Sequence, residues 1–275
     1  MNYHELLGNI LEWGENRDDR TGVGTKALFG LQFECDLTVG FPLLQSKKMN
    51  WNSIVAENLW FIKGSTNIKD LVGPTGRRVR IWDEWADEYG ELGPIYGKQL
   101  RSWTYYDQKT DTVQDVDQLI QLVDGLRRSP MSRRHLVSLW HPGEVDRCGL
   151  PPCHVLSQFF VGKRGLSCNM YQRSADFFLG VPFNIAGYAL LTHMLAHVLD
   201  LEVDKLKIMF GDAHVYTNHV DQCKKQLDHW YANSIYTPLP RLSIDGPDDI
   251  LDLSFEHIHL EGYTAGPKLE APIAV

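Results

Sequence analysis

Apolar positions along the chain recur at two periods. In HELLGNILEWG (residues 4–14), Leu6, Leu7, Ile10 and Leu11 fall on one face at a spacing of three to four, which predicts an amphipathic helix. NSIVAENLWFIKGS (52–65) does the same with Ile54, Val55, Asn58, Leu59 and Ile62, and Gly64 supplies a stop. DVDQLIQLVDGLRRSP (115–130) repeats that logic and halts at Pro130. IAGYALLTHMLAHVL (185–199) has the length and periodicity of the most buried helix. The second period is that of strands. DRTGVGTKALFGLQFECDL (19–37) runs from a glycine-bearing turn into alternating residues, and HLVSLW, HVLSQFFVG and LSCNMYQRS are strand-like. GKRG at 162–165 joins the last two as an antiparallel hairpin. Helices and strands mix without regular βαβ alternation, so the predicted class is α+β, a mixed β-sheet packed with helices. No internal repeat, low-complexity tract or Ser/Gly linker interrupts the chain, which predicts one domain over 1–275.

Composition narrows the function classes. The 275 residues are 43% hydrophobic and 23% charged, enough length for a sizeable core. A net charge of −8 argues against non-specific binding to nucleic acid or anionic membrane, while leaving room for a local basic pocket that takes one small anion. Cys35, Cys148, Cys153, Cys168 and Cys223 form no C-x-x-C pair, and no basic-then-apolar leader follows Met1. The longest apolar stretch (181–201) is broken by Pro182, Asn184, His193 and His197, so it reads as a core helix. Free thiols in a reducing cytoplasm are expected.

Several positions could carry chemistry. Cys153 stands in GLPPCHVLSQFF; composition alone makes it a buried thiol, and adjacency to His154 does not alter that, because neighbours on an extended chain point apart. Arg20, Arg133, Arg134 and Arg173 each sit among turn-forming or small polar residues, where they are either solvated or convergent on a phosphate. Glu57, inside an apolar helix face, is either at the rim or buried; if buried, its pKa rises into the range useful for proton transfer. Asn184 is either the N-cap of the buried helix or an amide that reads a base edge. No metal is expected: His193 and His197 lack the glutamate of an H-E-x-x-H helix, and Cys153 lacks the zinc deaminase pattern.

DRTGVGT, ENLWFIKGSTN, IWDEWADEYGELGPIYG, SRRH, PPCH, YQRSADFFLGVPFNIAGYALL and GDAHVYTNH follow one another in an order and spacing that resembles the thymidylate synthases, from residue 19 nearly to the terminal APIAV. The resemblance implies the thymidylate synthase fold, a sheet-mediated homodimer, and methylation of dUMP at C5 with 5,10-methylenetetrahydrofolate as one-carbon donor and reductant. It makes Cys153 the nucleophile toward uracil C6. It assigns the phosphate to Arg20, Arg173 and Ser174, with Arg133 and Arg134 reaching across from the second subunit, and places Gln172 in the same strand. Asn184 pairs with the pyrimidine edge; His214 and Tyr216 hold the sugar 3′-hydroxyl. Ile81, Trp82, Trp85, Asp176, Leu179 and Gly180 match folate-side positions, and the Val275 end closes over the site. Glu57, Tyr96 and His154 match the proton-transfer and water network, with Tyr96, through water, as the candidate base. Arg173 is expected to lower the Cys153 pKa.

Where the family usually has T-T-K this chain has Gln45, Ser46 and Lys47, a departure at the first two; it departs also at Leu100, commonly tryptophan, at Gly187, commonly small and polar, and at Asn169, commonly glutamine. The runner-up activity is a deoxyuridylate hydroxymethylase, in which water and not hydride captures the methylene. A non-catalytic nucleotide- or RNA-binding protein and a cysteine hydrolase are the remaining alternatives; the hydrolase lacks an identifiable Asn or Asp beside His154.

Overall fold

The computed structural model describes residues 2–233 and 238–274. The chain opens with α1 (Tyr3–Trp13), β1 (Glu15–Arg17) and β2 (Thr25–Asp36), then α2 (Trp51–Ile62). A long irregular stretch leads to α3 (Tyr96–Arg101), a small hairpin β3 (Trp103–Asp107) and β4 (Thr112–Val116), and α4 (Gln118–Arg128). Next come β5 (Leu136–Ser138), β6 (His154–Val161), β7 (Leu166–Asp176), α5 (Gly180–Val198) and β8 (Val203–Tyr216). The chain ends with α6 (Val220–Asn233), β9 (Arg241–Ile244) and β10 (Ile258–Glu261).

Six strands form the main sheet in the order β1-β2-β8-β7-β6-β5. β7 and β8 are parallel and the other pairs antiparallel, so the sheet is mixed and the α+β expectation holds. Parallel neighbours need a crossover, and α5 supplies it. That helix buries residues round its whole circumference, which explains its weak amphipathicity in the sequence. It begins at Gly180, five residues before the periodicity suggested. Pro182 lies in its first turn, where a missing N–H costs no helical bond.

The amphipathic helices match their patterns. In α1, Leu6, Leu7 and Ile10 are fully buried, each contributing about 1.5–3 kcal/mol of burial. Asn2 and Glu5 form a capping box at its start. The β6–β7 hairpin turns where GKRG predicted. Gly165 has φ +143° there, and a Cβ on it would lie 2.2 Å from the Glu202 carbonyl oxygen, so only glycine fits. HLVSLW shrinks to a three-residue edge strand, β5. β8, fourteen residues long, has no counterpart among the strands the sequence predicts, although Leu206, Ile208 and Phe210 alternate inward after Lys205, Lys207 and Met209.

The alternation has a consequence on the other face. Leu136, Leu156, Phe160 and Tyr171 lie in register on β5, β6 and β7 and are 37–60% exposed. Within one chain this apolar sheet face is uncovered.

Candidate active site

The β6–β7–β8–β2 register gathers one set of side chains at one end of the sheet. Arg173 N–H donates to the Cys153 carbonyl (2.9 Å), so the thiol stands beside the guanidinium although twenty residues separate them. Asp176 is paired with His214, Ser174 with Asp212, and Tyr216 with Thr25. Arg20 precedes β2 in a turn that Asp19 ties together, accepting from Thr21 Oγ1 (2.6 Å) and Gly24 N–H (3.0 Å).

The two prolines before Cys153 have a visible use. Arg173 Nε donates to the Pro152 carbonyl (2.9 Å) and Nη2 to that of Pro151 (2.7 Å), which leaves Nη2 3.9 Å from Cys153 Sγ. Tyr96 Oη accepts the Cys153 N–H (2.8 Å) and fixes the backbone from the other side. The expected lowering of the thiol pKa is not what results. Burial dominates and pushes Cys153 up; Arg173, Tyr96 and Arg20 oppose it without overcoming it.

Glu57 is indeed drawn into apolar surroundings on α2. Burial raises its carboxyl to about 7, against the pull of a 2.7 Å hydrogen bond from Trp82 Nε1 to Oε1. Trp82, expected on the folate side, therefore also orients the carboxylate. Its ring meets Trp85 in a T-shaped contact at 5.6 Å, and the Trp85 indole N–H is buried without a partner among the described residues. Burial lowers His154 to about 4, so it is neutral at physiological pH. Tyr96 is buried and pushed well above its ordinary value, hence a neutral phenol. Its ring centroid lies 5.1 Å from that of His154.

Asn184 sits in the second turn of α5, not at its start, so the N-cap alternative falls. Gln172, 2% exposed, turns inward and donates from Nε2 to Asn184 Oδ1 (2.9 Å) and to the Ser174 carbonyl (3.0 Å). With Oδ1 held, the amide's N–H2 is the end available as a donor. Asp176 Oδ1 accepts the N–H groups of Phe178 (2.9 Å) and Leu179 (3.0 Å), forming the turn that starts α5 at Gly180. Ile81 packs partly buried against the core beside Trp82. A cleft of about 780 Å³ brings Arg20, Trp85, Leu150 and Pro151 to a common wall.

Arg133 and Arg134 are exposed and do not join this cluster within one chain. The Arg133 carbonyl accepts from Gln158 on β6, five residues after Cys153, roughly 16 Å at the strand rise. Val275 lies outside the described residues. Two neighbours escaped the sequence reading. Asp212 accepts from Arg17 (3.0 Å) and bonds His214 Nδ1 (2.9 Å), fixing that ring; its place in GDAHVY was the signal. Lys47, beside the departures at Gln45 and Ser46, is buried, donates to the Phe178 carbonyl and stands 4.1 Å over the Phe178 ring. Burial lowers its pKa to about 8.

Among the described residues no group of three or more His, Cys, Asp and Glu is arranged to hold a metal ion. No helix of the described residues is long and apolar enough to cross a membrane. A thiol beside a guanidinium, a fixed amide donor and a carboxyl titrating near neutrality suit nucleophilic addition to an electron-poor ring, followed by proton transfers. The family model described as thymidylate synthase matches residues 1–275, the whole chain.

Proposed function

The chain belongs to the thymidylate synthase family, whose members carry out folate-dependent one-carbon transfer to dUMP, and from that premise we propose that it methylates dUMP to dTMP. The observation that carries this choice is the Trp82–Trp85 pair, locked at one end by Glu57. It gives two indoles a fixed place from which to keep water off the one-carbon unit.

In this mechanism Cys153 Sγ adds to uracil C6 and the electron pair moves toward O4. The Asn184 amide, held by Gln172, donates to that oxygen as its charge grows. A protonated carboxylic acid at O4 would do the same, and Glu57 near its midpoint supplies it through water. The neutral hydroxyl of Tyr96 passes the C5 proton to water by taking one proton as it gives another. Arg20, Arg173 and Ser174 bind the phosphate, while His214, oriented by Asp212, and Tyr216 take the 3′-hydroxyl. Asp176, Leu179, Gly180, Ile81, Trp82, Trp85 and the Val275 end form the folate side. The cleft of about 780 Å³ walled by Trp85 and Arg20 has the room for a planar co-substrate. 5,10-Methylenetetrahydrofolate supplies the carbon and the hydride.

A homodimer formed through the sheet, placed in the cytoplasm, completes the proposal. The uncovered apolar face on β5–β7 supports it, because such a face is costly to leave in water. Arg133 and Arg134 then reach the partner's phosphate site. Incubation with dUMP and methylenetetrahydrofolate, with product identified by mass spectrometry, tests the activity. dTMP and dihydrofolate in equal amounts are expected. 5-Hydroxymethyl-dUMP without dihydrofolate would overturn methylation in favour of the hydroxymethylase.

A further inference from the structure

Two of the departures from the family pattern meet in one place. Leu100 on α3 and Gly187 in the middle of α5 line a single cavity of about 60 Å³ directly behind Glu57. Gly187 is not there for backbone freedom, since its φ is not positive and glycine is a poorer helix former than alanine. A Cβ on it would meet only Asn58 Nδ2, at 3.2 Å. What the glycine provides is space. Leu100 provides more, standing where an indole is common.

The walls are largely apolar, but the polar groups in them are underused. Among the described residues Glu57 spends one oxygen on Trp82, which leaves the second to face the cavity. Ser157 and Tyr188 add hydroxyl-bearing side chains to the lining, and Asn58 uses one amide N–H on the Ile54 carbonyl. A buried water needs roughly 10–15 Å³ and two to four polar partners, so this cavity has both the room and the partners for several. The titratable groups facing Glu57 are Tyr96 from α3, His154 from β6 and Tyr188 from α5, with the Trp82 N–H opposite. Both tyrosines and the imidazole are neutral near pH 7, and no lysine or arginine lines the cavity. Solvation is the variable left to act on the carboxyl.

We propose that Leu100 and Gly187 are positioning residues that keep a hydrated chamber behind Glu57, and that water held there sets how readily Glu57 gives and takes its proton. Their effect on turnover rests on the proposed reaction; the hydration and the titration of Glu57 do not.

The test fills the chamber by Leu100→Trp, with Leu100→Phe and Gly187→Ala as smaller changes. Glu57 is titrated without turnover, from the carboxylic acid infrared band that Glu57→Gln removes. Wild-type crystals should show ordered water in the cavity, and the filled variants should lose it. Glu57 should then titrate about half a pH unit or more higher, because desolvation favours the acid. That is roughly a threefold drop in the carboxylate-to-acid ratio at a given pH. The acid limb of the kcat profile should follow, with dUMP affinity unchanged. Xenon in place of ordered water in the wild-type cavity would overturn the proposal, as would an unmoved Glu57 titration in variants that fold. Absence of any dUMP turnover would sink the methylation reading and leave the infrared titration to decide this one.

Discussion

Trp82→Phe isolates the electrostatic work of one indole N–H. Phenylalanine keeps an aromatic ring near Trp85, Phe61 and Tyr96 and removes the 2.7 Å donor to Glu57 Oε1. A hydrogen bond to a charged group is worth about 1.5–3 kcal/mol. The donor favours the carboxylate, so its loss raises the Glu57 pKa by about one to two units, at roughly 1.4 kcal/mol per unit. From its present value of about 7, the carboxyl would titrate between roughly 8 and 9. The pH profile of kcat/KM reports the free enzyme's groups, so its limb near pH 7 should move up by that amount. The KM for folate, proposed to bind against the same ring, is read separately. A profile whose limb stays near 7 while the rate falls would refute the assignment and leave Trp82 a packing residue only.

Stability carries a second signature of Glu57. Its folded pKa of about 7 exceeds the ordinary 4.5, so the unfolded chain releases this proton first and stability falls as pH rises from 4.5 to 7. Glu57→Gln should therefore gain up to about 3 kcal/mol over wild type above pH 7 in urea melts, and lose that gain at acid pH. Because burial outweighs Arg173 at Cys153, alkylation of the free enzyme by iodoacetamide should rise into the alkaline range. Arg173→Gln should slow it further, and a faster reaction would contradict the guanidinium's part. For the cross-subunit arginines, Cys153→Ser chains mixed with chains carrying Arg133→Ala and Arg134→Ala should regain activity on exchanging subunits. Each hybrid assembles one complete site; no recovery would place those arginines elsewhere.

Much of the fold was legible because it follows from local periodicity. α1, α2 and α4 could be read from apolar faces and stops, and the β6–β7 hairpin from its glycines. The start of α5 could not, since a helix buried on all sides has no polar face to mark its phase and its N-terminal turn is organised by Asp176 on a strand. β8 is hard to read because Asp204, Lys205 and Lys207 interrupt its first half and read as surface, although Leu206, Ile208 and Phe210 turn inward. The site divides in the same manner. Motif order singled out Cys153, Arg173, Asn184 and Glu57 as candidates. It gave no sign that Pro151 and Pro152 tether the guanidinium, that Trp82 holds Glu57, or that Asp212 fixes His214.

The chain by itself determined its class, its hairpin and its family, and pointed to the candidate reactive groups, because residue types and spacings carry those. Only the folded molecule decided the direction of each perturbation. The sequence pointed to a guanidinium lowering the Cys153 pKa, and burial reversed it. It left Glu57 open between rim and interior, and apolar enclosure settled its titration near 7. Two substitutions far apart in the chain, Leu100 and Gly187, became neighbours in one cavity. Charge, desolvation and space are sums over everything nearby, and what is nearby is set by the fold.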